Sequence, residues 1–288
     1  MIVDNSTIRI VNKKIDCKYA KSKDGLLWEA GKRIEDYPIG TKVIDPNTKY
    51  NGSPIEWLIV AKDHPSYLSN SVTLISDKIL TFKAFDAAEP DSTDRDIQSR
   101  GNNRYIYSNI LQWLNKTDVD WFVKQHSTDY PPVSSYVSEN EYRSEAGFLN
   151  GFSKEFLDSL LITKSKVNIA ATTSVENSEQ KLFLPSVTEV GLTYTSMEED
   201  EGYPIPLLTD NKYRIAESTD NRKGAWYWTR TPDHYRLTAL KRVMDNGGLD
   251  TNNAYGGNGG VRPMCNVRAN AICFEETKWE ENLWWVKI

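Results

Sequence analysis

Three histidines, three cysteines and forty carboxylates are the groups from which this 288-residue chain could build a reactive centre, and their spacing limits what they can do. His64, His126 and His234 lie far apart, with no H-E-x-x-H and no His or Cys pair at zinc spacing, so metal-assisted hydrolysis lacks its ligands. There is no G-x-S-x-G elbow and no P-loop. A Rossmann fingerprint fails because Gly257 and Gly259 have no third glycine where one is required. Cys17, Cys265 and Cys273 cannot all pair and form no C-x-x-C, so they read as small buried apolar residues. Glu89-Pro90-Asp91 reads as an acidic turn, and Asp245, Asp250 and Asn252 form no EF-hand loop. No catalytic residue, metal ligand or cofactor is expected.

What the chain does offer is contact chemistry. Tyr130, Tyr136 and Tyr142 are interleaved with Ser134, Ser135 and Ser138, and Tyr255 stands among Asn252, Asn253, Gly256 and Asn258. Tyrosine supplies large contact area at low entropic cost while Ser, Gly and Asn adapt their hydrogen bonds, which is how paratopes are composed. These seven residues (Tyr130, Tyr136, Tyr142, Asn252, Asn253, Tyr255 and Asn258) are the expected binding face, with Tyr255 exposed as its anchor.

The elements that must carry them begin with short β-rich runs, Pro54–Val60 and Val72–Ile75, separated by turn-forming residues. Ile106, Ile110, Trp113 and Leu114 fall at helical spacing, with Ser108 or Asn109 able to cap the first turn. A second helix is expected over Ser153–Leu161. Ser186 with Glu189 and Gly191 predicts a capping-box turn. Strands return at Trp226–Thr229, Leu237–Val243, Val261–Val267, Ala271–Phe274 and Trp284–Val286. Three stretches, 86–103, 125–147 and 194–224, read as surface loops. Residues 245–260 hold six glycines and four asparagines, and predict repeated turning through positive φ. Trp226 and Trp228 alternate onto one strand face and read as core.

Lys+Arg 35 against Asp+Glu 40 leaves a net charge of −5, and no basic run exceeds two adjacent residues. Nucleic acid is therefore not an expected partner. No stretch approaches the ~20 apolar residues of a membrane span, and residues 1–14 lack a signal-peptide pattern, so synthesis in the cytosol is expected.

Five pieces in order carry a resemblance: Pro54–Val60 (PIEWLIV), Tyr107–Asn115 (YSNILQWLN), Leu182–Ser186 (LFLPS), Trp226–Pro232 (WYWTRTP) and Gly259–Pro263 (GGVRP). Over residues 37–275 the chain resembles an uncharacterised domain of bacterial and phage proteins, marked by a WWLRSP-like strand and a terminal GGVRP. That domain is similar to the C-type-lectin-like fold of formylglycine-generating enzymes and variable receptor-binding proteins. The resemblance implies an α+β domain over 37–288 with a small twisted antiparallel sheet, two helices and long irregular loops, preceded by an attachment arm over 1–36. Arg230 and Arg262 match the arginines of the two signature strands and read as donors to loop carbonyls.

The implied role is that of a non-catalytic virion protein of a phage tail, baseplate or head fibre, or alternatively a bacterial cell-surface binder. Its partners would be other virion subunits through the arm, and a host surface protein or glycan through the loops, with a homo-oligomer expected. The runner-up is a cysteine oxidase using Cys265 and Cys273. Their eight-residue separation, apolar neighbours and lack of a nearby histidine favour two buried thiols instead.

Overall fold

The Ser53–Lys62 run alternates its side chains and pairs on both edges, with Lys42–Tyr50 on one side and Ser71–Ser76 on the other. The structure is a computed structural model that describes residues 19–21, 27–29, 32–194, 201–277 and 284–287. Among these, nine strands form one sheet in the order Leu182–Phe183, Met264–Arg268, Ser71–Ser76, Ser53–Lys62, Lys42–Tyr50, Trp284–Lys287, Ile272–Thr277, Lys32–Arg33, with Leu160–Leu161 also on Met264–Arg268. A five-stranded sheet runs Leu249–Asn253, Ala239–Val243, Tyr227–Pro232, Gly260–Val261, Thr81–Phe82. Each contains a parallel pair, Val286 beside Val43 and Tyr227 beside Gly260. The fold is mainly β with four short α-helices among the described residues, α+β in coarse terms. It is thus larger in sheet and different in helix count from the small antiparallel sheet and two helices expected.

The helix expected from Ile106 begins at Asn109, because the Ser108 hydroxyl accepts from the Leu111 N–H and so sets the first turn. It buries Ile110, Leu111, Trp113 and Leu114. The second helix runs Lys154–Ser159 behind its Ser153 cap and places Phe156 on Trp57, rings stacked at 5.7 Å. Leu160 and Leu161 leave it to pair with Val267 and Asn266. At Ser186 both halves of the capping box close: Ser186 N–H reaches Glu189 Oε2 at 2.9 Å and Glu189 N–H reaches Ser186 Oγ at 3.1 Å.

Sheet pairing and core packing extend before residue 37. Lys32–Arg33 pairs with Ile272–Cys273, and Ile34 is fully buried in the single core that both sheets share. Tyr19–Lys21 and Leu27–Glu29 form a hairpin, while residues 1–18, with the Ile8–Val11 run, lie outside the described residues.

Parts of the three expected surface loops are woven into the core, while other described stretches of them are exposed. Asp86 to Glu89, Tyr142, Ile205, Leu208 and Arg214 are all buried. Buried irregular chain must still pair its N–H and C=O groups, and here side chains replace a sheet ladder. Asn103 Nδ2 donates to the carbonyls of Arg236 and Ala239, Asn115 bonds both groups of Leu182, and Arg214 donates to Val190, Thr209 and Gly247 carbonyls. The glycines of 245–260 correct a second expectation. Only Gly247 there has positive φ (79°), and no asparagine of the segment does. Gly257, Gly259 and Gly260 are small because something passes close: a Cβ on Gly259 would lie 1.8 Å from Trp228 Nε1.

Candidate binding face

The two tyrosine-bearing segments, separated by more than a hundred residues, are sewn together. Ser138 N–H donates to Tyr255 O at 3.0 Å, Gly257 N–H to Ser138 Oγ at 3.1 Å, and Asn140 Nδ2 to Gly257 O at 2.8 Å. The approach needs glycine, since a Cβ on Gly257 would sit 1.7 Å from Glu139 O. Tyr255 is half-buried, its N–H held by Arg100 O at 2.9 Å, and Asn258 is exposed with its Oδ1 accepting from Asn252 Nδ2 at 3.3 Å. Tyr130 and Tyr136 meet edge to face at 4.7 Å. Tyr130 hydroxyl donates to Asp91 Oδ2 at 2.8 Å, and the Lys124 ammonium stands 4.8 Å from its ring centre.

One expected contact falls elsewhere. Tyr142 is fully buried, its ring stacked on Trp121 at 5.4 Å and its hydroxyl donating to Ala84 O at 2.9 Å, so it cannot touch a partner. The chain turns inward after Asn140, which adopts φ 52°, because Trp113 and Trp121 offer apolar surface there. Asn252 and Asn253 are half-buried strand residues paired with Leu240 and Ala239, and Asn252 reaches Asn258 from there.

Under the face lies a group that the sequence did not single out. Asp86 and Asp129 are buried, and so is Glu89, which was read as part of an exposed acidic turn. Pro90 and Asp91 of that turn face out, whereas Glu89 Oε2 turns in to accept from Thr128 Oγ1 at 2.5 Å. Asp86 accepts from the Asn109 N–H at 3.0 Å, and Asn109 Nδ2 donates to Tyr130 O at 3.2 Å. Gln125 N–H donates to Asp129 Oδ2 at 2.9 Å, and Ala88 N–H to Tyr136 O at 2.8 Å. Burial pushes the Asp86 carboxyl well up, helped by the Asp129 and Glu89 charges, and burial likewise raises Asp129. Among the described residues no three His, Cys, Asp or Glu side chains converge as metal ligands. No periodicity marks these acids, since they are brought together only by the fold.

The signature arginines and tryptophans are buried. Arg230 uses all five N–H groups: Glu189 takes two at 2.7 Å each, and the carbonyls of Lys166, Leu184 and Glu201 take three. Arg262 donates to the carbonyls of Ser76, Arg214 and Tyr213. Trp226 and Trp228 cross at 90° with centres 4.8 Å apart, and Trp228 Nε1 donates to Lys83 O at 2.9 Å. A groove of about 640 Å³ opens above Arg230 and Glu189, between Pro65–Leu68, Lys164–Lys166 and Gly202–Pro204. With every Arg230 donor engaged, its floor is structural. Cys265 and Cys273 are buried, and burial raises both thiols, Cys273 to about 12.

The profile of a family described as Domain of unknown function (DUF6273) matches residues 70–269, 200 of the 288 residues. No curated protein and no solved structure matches the chain.

Proposed function

The chain belongs to the DUF6273 family of domains of unknown function, and we propose that this member is a non-catalytic binding protein of a phage particle, recognising a host-surface protein or glycan through the joined tyrosine segments. The observation that carries the reading is the union of the two segments by three hydrogen bonds around Ser138 and Gly257. Composition suggests one face drawn from two loops, and the joining of those loops, which carry Tyr130, Tyr136, Tyr255 and Asn258, supports it. A rigid support reduces the ordering cost of binding. The setting in a tail, baseplate or head fibre, the lectin-like fold, homo-oligomerisation and attachment through the N-terminal arm are drawn from the resemblance to bacterial and phage domains. A related cell-surface binder uses the same face.

The cysteine-oxidase alternative is disfavoured by the two buried, protonated thiols, which lack the lowered pKa that such chemistry needs.

The test is adsorption of purified protein to whole bacterial cells from a panel of strains, comparing parent, Tyr255→Ala and the Tyr130→Ala/Tyr136→Ala pair. Loss of such anchors costs on the order of 2 kcal/mol, roughly a thirtyfold weaker adsorption, with melting temperature nearly unchanged. Unchanged adsorption in both variants sinks the proposal. So does a large fall in melting temperature for Tyr255→Ala, which would assign that ring to the core.

A further inference from the structure

Asp86, Glu89 and Asp129 expose 3%, 1% and 1% of their surface, yet no lysine or arginine among the described residues stands at ion-pair distance from any of them. Their one cationic neighbour at that range is His126, whose Nε2 lies 3.6 Å from Glu89 Oε1 and which carries charge only when protonated. Two carboxylate oxygens, Glu89 Oε1 and Asp129 Oδ1, are buried with no hydrogen-bond partner. Buried like charges without a counterion do not all remain ionised, because each raises the cost of the others. The neutralising agent is a cation or a proton. The side chains do not converge on a metal position, which favours the proton.

We propose that this cluster is a proton-binding lock that fastens the Tyr130–Tyr136 segment to the core and tightens as the medium is acidified. A protonated carboxyl in the cluster becomes a donor, and the unpartnered oxygens of Glu89 and Asp129 are the acceptors available to it. Such a bond ties residues 86–89 to residues 125–130, which end in Tyr130, the ring that packs on Tyr136. The facing groups are Asp86, Glu89 and Asp91 from one segment, Lys124, His126, Asp129 and Tyr130 from the other, Arg104 and Tyr107 from the turn before the Asn109 helix, and Tyr142 near Asp86, with the Lys83–Glu145 pair on the Tyr142 ring.

The sign follows from Asp86 and Asp129, both raised in the folded state. Their contribution to stability is complete below the ordinary aspartate range and is lost as pH rises through the raised values, so the segment is held better in acid than at neutral pH. The bearing of the lock on recognition rests on the face proposed above, whereas the lock itself does not.

Amide hydrogen exchange over residues 86–92 and 125–142 of the full chain, corrected for intrinsic rates, should slow severalfold between pH 7.5 and pH 5.5. Asp129→Asn places an amide donor where the unpartnered oxygen stands. It should slow exchange at pH 7.5 and flatten the pH response, with Glu89→Gln doing the same as a second, independent variant, because Glu89 Oε1 is also unpartnered whereas both Asp86 oxygens already accept the N–H groups of Asn109 and Asn102. Faster exchange in both variants with the parent's pH response intact overturns the proposal. Slower exchange of the parent in millimolar CaCl2, reversed by EDTA, also overturns it, because the cluster would then be a cation site. Adsorption to cells is scored separately, so a face that fails to bind leaves the exchange result standing.

Discussion

Arg230 and Glu189 face each other through two parallel hydrogen bonds of 2.7 Å, with side chains 1% and 0% exposed. Glu189 is in turn the capping residue of the Ser186 turn and the acceptor of the Tyr67 hydroxyl at 2.5 Å. One carboxylate therefore joins a turn, a strand and the Pro65–Leu68 corner. Removing one member of such a buried pair costs about 3–5 kcal/mol because the other is left uncompensated. Glu189→Gln should lose that much in urea unfolding. Arg230→Lys should lose a similar amount despite keeping its charge, since an ammonium cannot reproduce five fixed donors. A lysine variant within about 1 kcal/mol of the parent, on the same scale of buried-pair losses, would show that the fork geometry is dispensable.

Gly259 lies against the indole of Trp228, whose Nε1 would be 1.8 Å from an added Cβ. Gly259→Ala must displace a fully buried ring and break its bond to Lys83 O, so a loss of about 3 kcal/mol or more is expected. Gly248→Ala is the matched control. Its nearest contact is the side-chain oxygen of Asn246 at 3.0 Å and its φ is not positive, so a change within about 1 kcal/mol is expected. Equal losses at the two positions would mean that glycine serves turning rather than close packing.

In a Cys17→Ser background, Cys265 and Cys273 should resist a thiol reagent at pH 8 in the native state and react fast in denaturant. Raised thiols stay protonated, and burial blocks access. Changing both to serine should lower stability, through the buried hydroxyls, without removing any peptide-thiol oxidation. Rapid native labelling, or oxidation lost in the double variant, would revive the oxidase reading.

Ile34 gives a sharper cut for the N-terminal segment than residue 37 did. Deletion of residues 1–31 should leave a folded domain, while deletion of 1–36 removes a fully buried isoleucine and the Lys32–Arg33 strand, at a cost of about 2–5 kcal/mol. Thermal unfolding of the two truncations decides it. If the shorter truncation folds yet assembles into oligomers as the full chain does, the attachment role of the arm fails.

Sequence by itself determined the local features. Ser108, Ser153 and the Ser186–Glu189 box signal helix and turn starts through caps that act within three residues, and Pro54–Val60 and Val72–Ile75 signal strands through β-branched runs. Trp226, Trp228, Arg230 and Arg262 are legible as structural residues because large rings and planar donors at those places have few other uses. Only the tertiary structure decided where polar groups go. Tyr142 was legible as a tyrosine among serines but not as a core ring, because its burial depends on Trp113 and Trp121 meeting it. Asp86, Glu89 and Asp129 were legible as acids in polar stretches, yet their burial follows from Asn109, Thr128 and Gln125 meeting them. Glycines 257 and 259 carried a true signal with the wrong cause, close approach in place of positive φ. Hydrophobic period and capping act over a few residues along the chain, whereas burial of a charge is set by which distant segments supply its partners. That is a property of the fold alone.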